Sequence, residues 1–158
     1  MSLHVRRVVT GHDNNGRAIV QIDEIAKNVV SGRKGAESAV LWSTDGHPID
    51  NADDYDGSRR QLGTSLPRGT VFRVVKYEPG VAPRNHRTDS IDYAVVISGA
   101  IDMELDDSIV HLKAGDLLVQ RGTIHNWVNR GAEPCIIAFV LIGAKPVTVD
   151  GKTLHEVG

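Results

Sequence analysis

GVAPRNHRTDSIDYAVVISG, residues 80–99, is the stretch that decides the fold. Read as an extended segment from His86 onward, it places His86, Thr88 and Asp92 on one face, because side chains along a strand alternate with period two. The apolar run IDYAVVIS then stops at Gly99, a turn residue. A polar, ligand-facing beginning followed by a β-rich body predicts a strand that carries a site at one end.

Outward from this stretch the same rhythm continues. TVFRVVKYE ends at Pro79-Gly80, IDMEL at Asp106-Asp107, IVHL at Lys113-Ala114-Gly115-Asp116, LLVQ at Arg121-Gly122 and HNWVN at Arg130-Gly131, and CIIAFVLIG closes the series. Short β-branched segments separated by turn signals predict an antiparallel sandwich or barrel, and no segment in this half shows helical periodicity. The expected class is all-β. Upstream, RRVVTGHDNNGRAIVQID reads as a hairpin turning at Asn14-Asn15-Gly16, SAVLWST as a further strand, and the polar stretch from Asp45 to Gly63 as a long loop bordering the barrel mouth. The division expected is residues 1–69 as strands and a loop extending the sheets, 70–145 as the barrel core and 146–158 as a C-terminal tail.

A second histidine, His125, lies in GTIHNWVN, where Trp127 and Asn129 share its parity. With these residues in view the chain resembles the cupins. Gly80, His86, Asp92 and Gly99 fall on the family's first motif, G-x5-H-x-H-x(3,4)-E-x6-G, while Gly115, Gly122, His125 and Asn129 meet the second, G-x5-P-x-G-x2-H-x3-N. Thr88 stands in place of the second histidine, Asp92 in place of glutamate, and Gln120 in place of proline with one residue fewer before it. The chain is also similar to single-domain bacterial cupins and to cupins encoded beside fungal biosynthetic genes.

The resemblance implies a double-stranded β-helix, a jelly-roll barrel. It also implies a shared metal on His86, Asp92 and His125. Two neutral imidazoles and one carboxylate form a facial triad suited to iron, manganese, nickel or zinc with open positions for substrate. The alternative is a cupin without metal, in which Asp92 and Thr88 are hydrogen-bonded in a polar cavity. Trp127 is placed to stack on a planar substrate, Thr88 to line the pocket, and Ile101, Met103 and Leu105 to line an apolar inner wall. Arg73 and Tyr77 share a face of their strand from which they can reach the cavity, with a solvated outer face as the leading expectation for the arginine.

Composition narrows the partners. The chain has 158 residues, enough for one domain with a core, and 18 Lys and Arg against 20 Asp and Glu give a net charge of −2. No basic stripe for nucleic acid or a membrane surface is visible, so a small-molecule ligand is expected. No apolar run approaches a membrane span, and the start MSLHVRRVV lacks a signal peptide's apolar stretch. Cys135 is the single cysteine, in an apolar strand, which suits burial in a cytoplasmic protein. Because CIIAFVLIG is apolar on both faces, its outer face needs cover from the N-terminal strands or from a second subunit, and a homodimer is expected. The expected activity is a metal-dependent oxygenase, decarboxylase, dehydratase or isomerase acting on an aromatic or keto-acid-like molecule, or ligand binding without catalysis. GKT at 151–153 lacks the upstream glycine of a phosphate loop, and DDYDG at 53–57 lacks the first ligand of a calcium loop.

Overall fold

The computed structural model describes residues 2–158 as thirteen strands and one short 3-10 turn. The strands are β1 Arg6–His12, β2 Ala18–Ile25, β3 Val30–Arg33, β4 Ala36–Asp45, β5 Gly69–Tyr77, β6 Ser90–Ser98, β7 Ala100–Glu104, β8 Ile109–Lys113, β9 Leu117–Arg121, β10 Asn126–Val128, β11 Cys135–Gly143, β12 Val147–Val149 and β13 Lys152–Leu154. A six-stranded sheet of order β3-β4-β5-β11-β6-β9 faces a three-stranded sheet of order β10-β7-β8, and all pairings are antiparallel. This is the all-β jelly roll that strand spacing and motif predicted. Among the described residues no helix is long and apolar enough to cross a membrane.

Parity sorts the side chains of the large sheet. On β5, Val71, Val75 and Tyr77 are buried on the inner face with Ala94 and Val96 of β6 and Ile137, Phe139 and Leu141 of β11. Ile101, Met103, Leu112 and Trp127 of the small sheet close that core. Such burial is the main stabilising term for two sheets packed face to face. Gly99 makes the tight link from β6 to β7 at φ 75°, and a side chain there would run into the carbonyl of Pro134, so only glycine fits.

The N-terminal region adds strands to the large sheet. β4 pairs along β5 from Ala36↔Tyr77 to Asp45↔Gly69, which makes it an integral strand of the large sheet. The β1–β2 hairpin turns at Gly16, with φ 75°, where the Asp13 carboxylate accepts from the amides of Asn15 and Arg17. Arg7 reaches back from β1 to bond Asp56 at 2.7 and 3.0 Å, Glu24 at 2.6 Å and the Leu41 carbonyl at 3.2 Å. That guanidinium holds the Asp56 carboxyl far below the usual carboxylate range and pins the long loop to the sheet. The tail at 146–158 contains the β12–β13 hairpin, and Val157 bridges Arg87.

The outer face of β11 is covered at one end. Ile136 and Ala138 pack with Leu3, Val5, Ala26, Val29, Leu41 and Val74, as the apolar pattern of CIIAFVLIG required. Toward the other end Phe72, Tyr93, Val95, Ile97, Leu117 and Val119 stay 39–75% exposed, forming an apolar face across β5, β6 and β9.

Candidate functional site

Backbone pairing builds the centre of the site. The His86 amide donates to the His125 carbonyl and the His125 amide to the His86 carbonyl, both at 3.0 Å, an isolated antiparallel bridge just before β6 and β10 begin. A residue pair that exchanges both hydrogen bonds carries its side chains on the same face. The two imidazoles therefore lie together, with centroids 4.1 Å apart. The extended segment foreseen from His86 to Asp92 is thus interrupted: His86 sits on a bridge and the strand proper starts at Ser90.

Local hydrogen bonds fix the protonation of both rings. His86 Nδ1 lies 3.1 Å from the Arg84 carbonyl and His125 Nδ1 3.0 Å from the Thr123 carbonyl, so each Nδ1 is assigned the proton and each Nε2 the lone pair. The Gln120 amide lies 3.3 Å from His125 Nε2, which makes that nitrogen its acceptor, since Nδ1 at 3.0 Å is already donating. Burial, then the neighbouring His125, pushes His86 down to about 4, and burial lowers His125 as well. Both rings are neutral at pH 7. The pair has room for one proton and resists a second.

These rings open on a cavity of about 300 Å³ between the two sheets, within the range that small-molecule sites occupy. Trp127 lies in its wall, 2% exposed, edge-on to His125 at 5.9 Å and to Phe139 at 5.7 Å, and stacked on Tyr77 at 6.1 Å. Asp92 also lines it, opposite Gln120 on β9 and Leu141 on β11. Its Oδ1 accepts from the Ser90 hydroxyl at 2.6 Å, and burial raises its pKa above the usual carboxylate value.

The structure therefore brings His86 and His125 together, with Asp92 and Trp127 on the same cavity, but it does not assemble the expected three-ligand metal site. Asp92, one methylene shorter than glutamate and seated within β6, is held by Ser90. Among the described residues no three His, Cys, Asp or Glu side chains form a metal-holding group. Both imidazoles have the tautomer that metal ligands use, with Nδ1 on a carbonyl; His86 Nε2 is free and His125 Nε2 accepts from Gln120.

Thr88 and Met103 stand apart from the cavity. Thr88 is buried, its hydroxyl lies 2.8 Å from Ser90 Oγ and donates to it because the Ser90 hydrogen goes to Asp92, and it faces a separate small pocket beside Gly122 and Val147. Met103, 3% exposed, belongs to the packed core opposite Trp127, and it is Trp127 that reaches the cavity. Arg73 reverses its expectation. It points inward because Val71, Val75 and Tyr77 of the same parity are buried, and it lines the cavity with Arg33 and Arg84, two residues that strand patterning did not reveal. Cys135 is fully buried, and burial pushes its thiol up to about 11, which makes it inert packing.

With this geometry in place the comparisons are decisive for the family. The family model described as Cupin domain matches residues 73–142. The phomopsin biosynthesis cluster protein C' of Diaporthe leptostromiformis is 38% identical over 160 residues, an alignment covering 96% of this chain and 85% of the relative. The chain belongs to the cupin family. The cupin-domain-containing oxidoreductase fogC of Aspergillus ruber is 34% identical to this cupin, with 96% and 78% of the two chains covered. Among solved structures, the cupin domain of Schizosaccharomyces pombe Cnp3 matches with a TM-score of 0.52 at 13% identity, covering 87% of this chain and 86% of that one, a likeness of fold.

Proposed function

We propose that this cupin is an enzyme that admits a small planar organic molecule to the cavity beside Trp127 and moves a proton on it with the His86–His125 pair. The observation that carries this reading is the pair itself: two buried neutral imidazoles, joined by their backbones at a cavity, with the Nε2 lone pair of His86 free and that of His125 accepting from Gln120. A neutral imidazole at pH 7 keeps its lone pair unprotonated and can take a proton from carbon beside a carbonyl and return it. Asp92, in the wall of the same cavity, is placed to orient the polar end of the molecule. The fungal relatives named cupin-domain-containing oxidoreductases support an enzyme over a bare binding module.

The test is exchange in deuterium oxide. Proton NMR should show loss of α-proton signal from small aromatic keto acids incubated with the wild type, and loss of that exchange in His86→Gln and His125→Gln. A keto acid that binds without exchanging would reduce the protein to a binder. Metal analysis of protein purified without an affinity tag is the second arm. A stoichiometric divalent metal that His125→Ala releases would replace the metal-free proton-transfer reading with a metal-centred one.

We further propose that the exposed apolar face of the large sheet is covered by a second copy of the chain. Phe72, Val140, Tyr93 and Val119 lie in register as one row across four strands. With Val95, Ile97 and Leu117 the row forms one contiguous exposed apolar face, a feature that marks an interaction surface. Sedimentation at micromolar concentration is expected to show a dimer and Val119→Asp a monomer. A wild-type monomer would refute the dimer.

A further inference from the structure

The cavity wall holds more positive charge than the proposed proton transfer uses. Arg73, Arg33 and Arg84 all line it, from β5, from the end of β3 and from the loop before His86. Two of the three have buried nitrogens without an acceptor: Arg73 Nε and Arg33 Nη1. Arg60 Nε and Arg87 Nε are also unpaired, but neither residue lines the cavity.

The partners that do exist leave the charge largely unanswered. Arg73 Nη2 donates to the Gly63 carbonyl at 2.9 Å, a neutral acceptor, and Arg84 Nη2 donates to Thr64 Oγ1 at 3.2 Å and to the main-chain oxygen of Gly158 at 2.6 Å, so the charge of Arg84 is the better answered of the two. Arg33 lies over the Tyr77 ring at 5.9 Å. Two carboxylates come near. Glu37 is turned to the outer face, where it faces Lys76 at 3.7 Å across the strand pair and accepts from the Leu3 amide. Asp92 accepts from Ser90 and attracts Arg73, but burial favours its neutral form and so weakens it as a counter-ion. Burial lowers the pKa of Arg33 and of Arg73, and the charge of Arg84 lowers both further, so the three guanidiniums share one region of field. A buried charge without a counter-ion costs several kcal/mol, and an arriving anion offsets that cost.

Building on the reading of the cavity as a substrate site, we infer that its ligand is an organic anion, a planar carboxylate held by Arg73 and Arg33 with its ring against Trp127 and its reacting carbon toward His86 and His125. Arginine suits this role because its planar fork matches a carboxylate two bonds at a time. The cavity volume of about 300 Å³ fits a single ring with a short acidic arm. Bound negative charge also favours the one proton that the imidazole pair can hold, which couples recognition to the proposed chemistry.

The experiment compares benzoate, phenylpyruvate and neutral benzamide by calorimetry against wild type, Arg73→Met and Arg33→Met, with inorganic phosphate as competitor. The wild type should bind both carboxylates and bind benzamide at least 10-fold more weakly. Each variant should lose about 10- to 100-fold toward the carboxylates with little change toward benzamide. Arg73→Met replaces an underpaired buried cation with an apolar side chain of similar length, so it should fold at least as stably as the wild type, and urea unfolding checks this. Equal affinity for benzoate and benzamide, no binding of either carboxylate, or equal losses for charged and neutral ligands in the variants would overturn the inference. Displacement of benzoate by phosphate alone at equal concentration would reassign the subsite to a tetrahedral anion. Carboxylate binding that survives while deuterium exchange fails would sink the proposed chemistry and leave this subsite standing.

Discussion

Trp127→Ala is expected to lower the free energy of unfolding by about 3–5 kcal/mol, the range for removing a large buried aromatic. The indole is 2% exposed and touches Tyr77, His125 and Phe139, which come from three elements on both sides of the core. Its loss would enlarge the existing cavity rather than let the sheets collapse, because β10 is held in register on β7 from Asn126↔Glu104 to Val128↔Asp102. The Asn126 and Arg130 side chains also tie to Glu104. Urea unfolding followed by circular dichroism measures the change. Trp127→Phe should recover more than half of it, since a ring would again bridge Tyr77 and Phe139. A loss below about 1 kcal/mol for the alanine variant would show that Trp127 is a ligand platform with little part in the core.

The fold was legible because its signals are local. Turn residues after each β-branched segment mark the strands of the barrel, and Asn15-Gly16 announces the first hairpin. A comparable signal went unused at the other end. Asp150-Gly151, with φ 48° and 75°, is a hairpin turn between β12 and β13, in a segment read as a tail because its strands are only three residues long. The standing of β4 was less visible, because pairing with β5 is a contact between segments separated by the long loop.

The site was legible in part for the same reason. His86 and His125 are fixed by motif spacing, and Asp92 falls inside by parity, yet parity says which face a carboxylate takes and nothing about what binds it. Ser90, a strand neighbour of the same parity, reaches it first. Arg73 was misplaced because an arginine is usually solvated, although the buried parity of Val71, Val75 and Tyr77 carried the contrary signal. Arg33 and Arg84 sit at the end of a four-residue strand and in a loop, where no periodicity points a side chain, and only the tertiary fold brings them to the cavity.

Acid should weaken this fold before its carboxylates respond. An unfolded histidine titrates near 6.5, whereas His86 is pushed down to about 4 and His125 is also lowered. Between these values the unfolded chain binds more protons than the native one, so stability falls as pH drops from about 6.5 toward 4. His86 alone accounts for about 3 kcal/mol across that window. Asp92, raised by burial, acts in the opposite sense, since its neutral form is favoured in the native state as pH falls. Asp56 is lowered by Arg7, so its contribution is lost only as pH falls below the ordinary carboxylate range, outside the histidine window. Urea unfolding at pH 7.5, 6, 5 and 4 should therefore show a steady decline in the wild type and a much flatter one in His86→Gln, whose side chain does not titrate. The neutral variant is expected to start less stable at pH 7.5 and to draw level with the wild type near pH 5. Parallel declines for the two proteins would mean that His86 is not held neutral by its surroundings, and the lone pair on which the proposed proton transfer depends would be lost with it.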